Sequence, residues 1–281
     1  MKPGSVFDII GTENIEKRGE GMHIEFVNPG FQYMLDSIME SQKDDTPFFW
    51  NDSLFYFFEE LDKEYAYSLS IEKRRKYFEE KLREIYKANE LLLTEKVQAY
   101  SEYWNKHEEE ITQAFSDAFG IDCSEVFNDL VCNISLNPIC PRYLKEHSFD
   151  VFYLNSEKGA LGLSLHELVH FVWFMVWNEV FQDSYEEYET PSLKWILSEL
   201  VVEAVMSDER LSSINPYYPR EQGGCIYPYF FTMEINGIPI TETVQEMYQN
   251  MKIAEFMKES YAYCVKHETE IREHISRLES E

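Results

Sequence analysis

The pattern of apolar and polar positions changes character twice along the chain, and each change predicts a different kind of structure. From Ser70 to about Phe119, Leu, Tyr, Ile and Ala recur at helical spacing among Glu, Lys and Arg, which predicts two or three long helices with solvated charged faces. Near Gly120 the pattern shortens. Leu130 to Leu136 (LVCNISL) and Phe149 to Leu154 (FDVFYL) predict two short strands, separated by turn residues at Asn137-Pro138 and Cys140-Pro141. The third pattern is the run Leu161 to Phe181, LGLSLHELVHFVWFMVWNEVF, which lacks a polar face and predicts a helix buried on all sides. After a polar loop at 182–190, a second apolar helix, PSLKWILSELVVEAVM, is expected with Thr190 as N-cap and Pro191 at its first position, running to about Met206.

The flanking segments fill in the outline. His23 to Val27 predicts a strand that ends in an Asn28-Pro29-Gly30 turn, with a helix starting near Phe31. Thr46 to Phe58 is aromatic and broken by turn residues, a composition suited to packing against later helices. Asn215 to Tyr229 is rich in turn residues and tyrosine, and beyond Thr241 the pattern is helical again. His107, His267 and His274 sit among charges and are expected at the surface. The fold class implied is α+β, predominantly helical, with a small β-sheet next to the 161–181 helix. Residues 1–120 read as a mainly helical region and 121–281 as the region carrying the sheet and the apolar helices, a division that one continuous domain also accommodates.

Composition narrows the partners. The chain has 281 residues, enough for a sizeable core, and 25 Lys and Arg against 52 Asp and Glu give a formal net charge of −27. Such a field repels phosphate backbones and anionic lipid, so neither nucleic acid nor a membrane surface is an expected partner. The N-terminal stretch has acids early and no sustained apolar core, so it does not read as a secretory signal. The 161–181 run is long enough to span a bilayer, yet three ionisable groups in its first half argue against that use. Cys123, Cys132, Cys140, Cys225 and Cys264 are odd in number and form no C-x-x-C pair, as expected of reduced thiols in a cytoplasmic protein.

The interruptions in the apolar run carry the chemistry. His166, Glu167 and His170 spell H-E-x-x-H; on a helix the two histidines lie one turn apart on one face, with Glu167 beside them. Two neutral imidazoles supply half of a tetrahedral zinc shell, and the adjacent carboxylate can take a proton from a water that the metal activates. Burying these groups without partners would cost several kcal/mol, which a bound cation would offset. The plain alternative is a core helix with two hydrogen-bonded histidines. On the next helix Glu199 and Glu203, four apart, share a face, and a two-histidine site still lacks a third ligand.

H-E-L-V-H followed by S-E-L-V-V-E resembles the gluzincin metallopeptidases, the thermolysin-like zincins, over roughly residues 130–208. The wider layout is similar to uncharacterised bacterial proteins of the zincin type. The resemblance implies a zincin-like core, with His166, His170 and Glu199 as zinc ligands, Glu167 as general base and Glu203 as the acid that hydrogen-bonds a ligand histidine. Two departures stand out: the interval from His170 to Glu199, 199 − 170 = 29, is longer than in thermolysin itself, and no counterpart of the later catalytic histidine region is found.

An oxyanion donor is also expected, and Tyr227 in the tyrosine-rich segment is the candidate. The resulting expectation is a cytoplasmic zinc metallopeptidase acting on a peptide or protein. An exposed strand next to the metal helix could present an extended substrate to it. The alternatives are a non-catalytic metal-binding or protein-interaction module on the same scaffold, and a hydrolase of a non-peptide amide. Intact Glu167 favours chemistry, because a structural zinc site does not need it.

Overall fold

A strand near residue 25 joins three strands from residues 130–152 in the sheet on which the candidate site rests. The computed structural model describes residues 21–43, 48–124, 127–183, 188, 192–215 and 228–280. Strand β1 (Ile24–Val27) ends where Asn28 Oδ1 accepts a hydrogen bond from the Gly30 amide at 3.0 Å. Gly30 takes φ +86°, which a side chain would strain, and so redirects the chain into α1 (Phe31–Glu40). Helices α2 (Phe48–Phe57) and α3 (Lys63–Ser68) follow, then the two long helices α4 (Ile71–Ala88) and α5 (Glu90–Phe119). Gly120, in the left-handed region at φ +65°, terminates α5.

Strand β2 (Leu130–Ser135) pairs in parallel with β1 on one side and β4 (Ser148–Phe152) on the other. Between them in sequence lies β3 (Arg142–Tyr143), a two-residue strand antiparallel to β4, so the order is β1-β2-β4-β3. The remaining elements are α6 (Glu157–Phe181), α7 (Leu193–Met206), the short α8 (Glu209–Ser212), a hairpin of β5 (Glu234–Ile235) and β6 (Ile238–Pro239), and α9 (Ile240–Asn250), α10 (Ile253–Lys266) and α11 (Glu268–Ser280). The protein is thus mostly helical with a small mixed sheet, an α+β arrangement.

Side-chain alternation gives the sheet two different faces. Phe149 on β4 meets the Phe171 ring of α6 at 6.4 Å between centroids, which identifies the face toward α6. Opposite Phe149 in register stands Arg142, whose side chain therefore also points toward α6. The other face is polar and buried. There Asp150 accepts from Tyr33 Oη (2.7 Å), Ser37 Oγ (3.0 Å) and Asn133 Nδ2 (3.3 Å), while Tyr143 Oη donates to Ser37 Oγ at 3.3 Å. These bonds tie α1, β2, β3 and β4 together and fix the residue next to Arg142.

Helix α5 braces the other side of the site. It packs against β1 and α6. Tyr100 Oη and Lys96 Nζ, both on α5, donate to the Asn155 carbonyl at 2.6 and 2.7 Å, holding the turn that leads into α6. Helix α6 begins at Ser156, whose side chain accepts from the Gly159 amide, and α7 is packed along it. By length and composition α6 could cross a membrane, and most of it is buried inside the fold.

Several expectations need adjustment. Helix α7 begins at Leu193 with Ser192 as its capping side chain, accepting from the Trp195 amide at 3.1 Å, instead of at Pro191; Thr190 and Pro191 lie outside the described residues. His267 is 6% exposed, not at the surface, because the Tyr263 ring packs against its ring in a tilted arrangement, 4.7 Å between centroids, and Glu270 bonds its Nδ1 at 3.1 Å. His107, packed on Tyr103, and His274, beside Thr232, are half-buried. Cys123, Cys132, Cys140 and Cys264 are free and buried, and Cys225 lies outside the described residues.

Burial pushes the Asp150 carboxyl up to about 6, against the pull of Tyr33, Ser37, Asn133 and Ser135. A carboxyl whose folded value exceeds its unfolded one near 3.8 binds more protons when folded, so its contribution to stability declines as pH rises from about 4 to about 6. Relative to the Asp150→Asn variant, the wild-type protein should therefore lose up to about 3 kcal/mol of unfolding free energy between pH 4 and pH 7. Urea unfolding of both proteins across that range checks it, and a constant difference would contradict it.

Candidate metal centre

The site forms where α6, α7 and β3 meet. On α6 the four-residue spacing places His166 and His170 on one face, and on α7 the side chain of Glu199 faces them. The flanking Leu165, Val169, Trp173, Ile196, Leu200 and Val201 are buried, so apolar packing of the two helices sets the separation of the polar groups. Within this lining the side chains of His170, Glu199 and Glu167 are 0%, 5% and 6% exposed, and that of His166 is 14% exposed.

The distances are those of a coordination shell. His166 Nε2 and His170 Nε2 lie 3.2 Å apart, and Glu199 presents Oε1 at 3.5 Å from His170 Nε2 and Oε2 at 3.7 Å from His166 Nε2. An ion held tetrahedrally at the usual zinc–nitrogen distance keeps two ligand nitrogens about 3.3–3.4 Å apart. Ligand atoms of His166, Glu167 and His170 all lie within 4.8 Å of one another. The third ligand could on that basis be Glu167, but its oxygen is 3.9 Å from His166 Nε2, whereas the carboxylate of Glu199 spans both imidazoles. Glu199 is therefore the better-placed third donor, and Glu167 stands beside the triangle with one oxygen buried and without a hydrogen-bond partner.

Electrostatics agree with a ligand set. Burial holds the imidazole of His170 down to about 3, with Arg142 acting in the same direction, and burial likewise lowers His166. Both rings are thus neutral at pH 7, the form that binds metal. Burial opposes ionisation of Glu199, yet a hydrogen bond with His170 and the charge of Arg142 hold its carboxyl well below the ordinary range. Glu167 goes the other way: burial pushes it up to about 8, with Arg142 only partly offsetting this. Two carboxylates in one pocket thereby acquire different characters, one fixed as an anion and one able to exchange a proton near neutrality.

Arg142 is the participant that periodicity did not reveal. Its Nη1 lies 3.2 Å from Glu199 Oε1 and 4.0 Å from Glu167 Oε2, and its Nε and Nη2 are buried without hydrogen-bond partners. In sequence it stands between Pro141 and Tyr143, in what reads as turn material. The available signal was chemical: two glutamates in apolar helices call for a cation. Glu203, one turn beyond Glu199, is half-buried, and His170 Nδ1 is buried without a hydrogen-bond partner. Tyr227 lies outside the described residues.

No family model matches the chain, and neither a curated protein nor a solved structure gives a match. Function has to be argued from the site itself. The donor set fits a divalent cation such as zinc: two neutral imidazoles and one ionised carboxylate at coordination spacing, with unsatisfied buried polar atoms around them. If Glu199 is the third ligand, Glu199→Ala should abolish tight zinc binding while Glu167→Gln retains it. Dissociation constants from chelator competition decide between the carboxylates, and the reverse pattern would assign the ligand to Glu167.

Proposed function

We propose that this protein is a zinc-dependent peptidase with a zincin-like core. The observation that carries the proposal is the buried triangle of His166 Nε2, His170 Nε2 and the Glu199 carboxylate, with the carboxyl of Glu167 at its edge. A purely structural metal site needs only the triangle. Glu167, with a buried oxygen lacking a hydrogen-bond partner, is a group for which such a site has no use.

When bound, a zinc ion supplies positive charge that polarises a carbonyl, acidifies a water and favours the ionised state of nearby carboxylates. Glu167, once ionised, accepts the proton of the attacking water and delivers it to the departing amine, so one group serves as base and then as acid. Its position suits this double duty, since the carboxylate lies 3.9 Å from His166 Nε2 and keeps one buried oxygen without a hydrogen-bond partner. His166 and His170 hold their positions because α6 is locked between α5, α7 and the sheet. Glu203 is proposed to support the ligand set from the next turn of α7, and Tyr227 to donate to the developing oxyanion. The substrate is a peptide or protein in the cytoplasm.

A second reading is favoured by the ion pair of Arg142 with Glu199. In it the cluster is a self-compensated polar core, and the scaffold serves as a metal-binding or interaction module without turnover. The base distinguishes the two. Glu167→Gln keeps size and one hydrogen-bonding oxygen, so cleavage in a peptide-library digest should fall by on the order of 10²-fold or more while zinc stays bound. A digest in which wild type and variant behave alike would remove Glu167 from the mechanism. Glu203→Ala should weaken zinc affinity by ~10 to 100-fold, the usual scale for losing a supporting group, as the same chelator competition would show.

A further inference from the structure

Two carboxylates buried together need a counter-charge, and among the described residues Arg142 is the only lysine or arginine that ion-pairs with either Glu167 or Glu199. Its placement is built, not incidental. The register Arg142↔Phe149 aims the side chain at α6, and the adjacent Tyr143 is anchored on the opposite face by Ser37. The side chain is 11% exposed and two of its nitrogens have no hydrogen-bond partner, so among the described residues the carboxylates of Glu199 and Glu167 are what balance the buried guanidinium. A guanidinium cannot shed its proton to relieve a second positive charge.

We propose that Arg142 is a resident counter-cation that occupies the electrostatic place of the metal in the metal-free protein and competes with the metal for Glu199. This inference rests on the zinc-site reading of the same cluster. Glu199 Oε1 is shared between the two: it lies 3.2 Å from Arg142 Nη1 and 3.5 Å from His170 Nε2. A divalent ion on the imidazoles takes over that oxygen, and the pair with Arg142 weakens. The guanidinium is then left beside the metal with its fork of N–H groups unclaimed, able to receive an anionic or carbonyl oxygen of a bound molecule. In the metal-free protein the same residue balances the buried charge of Glu199, so the site stays assembled for loading.

The test compares zinc affinity and metal-free stability in wild type, Arg142→Met and Arg142→Lys. Met replaces the stem without the charge; Lys keeps the charge without the fork. For Arg142→Met, zinc should bind at least about tenfold more tightly than to wild type, since a cation sharing the metal's carboxylate has been removed. The metal-free Met variant should melt at a lower temperature than wild type, and saturating zinc should raise its melting temperature by more than it raises that of wild type. Arg142→Lys guards against a folding failure of the Met variant: it should stay within a few-fold of wild-type affinity. Equal or weaker zinc binding by Arg142→Met would overturn the competition while leaving the metal site standing. Should Arg142→Met fail to fold, loss of zinc binding by Arg142→Lys would show that the residue supports the metal and would likewise overturn it. Absence of zinc uptake by all three proteins would overturn both the inference and the reading beneath it, whereas uptake by Arg142→Met alone would support the competition in its strongest form.

Discussion

Desolvation of a small set of ionisable groups is the constraint on which this structure turns. Helices α6 and α7 bury His170, Glu199 and Glu167 in a lining of Leu, Val, Ile and Trp, where an uncompensated charge costs several kcal/mol. The groups answer by differentiating. The imidazoles are held neutral, Glu199 is held ionised by its neighbours, and Glu167 is pushed toward neutrality. The same helix packing that creates the cost also sets the 3.2 Å spacing of the two Nε2 atoms, so stability and chemistry are not separable here.

The rest of the fold can be understood as support for that cluster. The buried network around Asp150 fastens α1 to three strands and thereby fixes β3, a strand of two residues that could not hold its place through its own hydrogen bonds. Helix α5 fastens the turn before α6 through Tyr100 and Lys96. At Gly162 on α6 a methyl group would come within 2.6 Å of the Asn215 amide nitrogen, which itself donates to the Lys158 carbonyl, so the segment after α8 is drawn tightly against the first half of α6. Residues from β1 to α11 contribute to one connected apolar core.

Much of this was legible in the sequence where a signal is local. The helical period gave α4 and α5, β-rich runs gave β2 and β4, and the motif spacing brought His166, His170 and Glu167 to one place, with Glu199 suggested by its apolar surroundings and by a resemblance alone. Non-local features were not legible. Nothing in the pattern of β1 says that it pairs with β2 across about a hundred residues, because periodicity records which face is buried and not which strand is the neighbour. Arg142 looked like loop because two residues are too few for a strand pattern. His267 looked exposed because its burial comes from Tyr263 and Glu270, one turn away on either side, in a segment dominated by charge. Ser192 capped α7 where Thr190 was an equally good capping residue by type, a choice that composition cannot make.

The central claim is that His166, His170 and Glu199 form one metal site. X-ray absorption at the zinc edge, on protein dialysed against zinc and then freed of excess metal, tests it most directly. The account predicts about one zinc per chain, with two imidazole nitrogens and carboxylate oxygen at about 2.0–2.2 Å and no sulfur scatterer. Protein that retains no zinc, or zinc coordinated by cysteine sulfur, would contradict it.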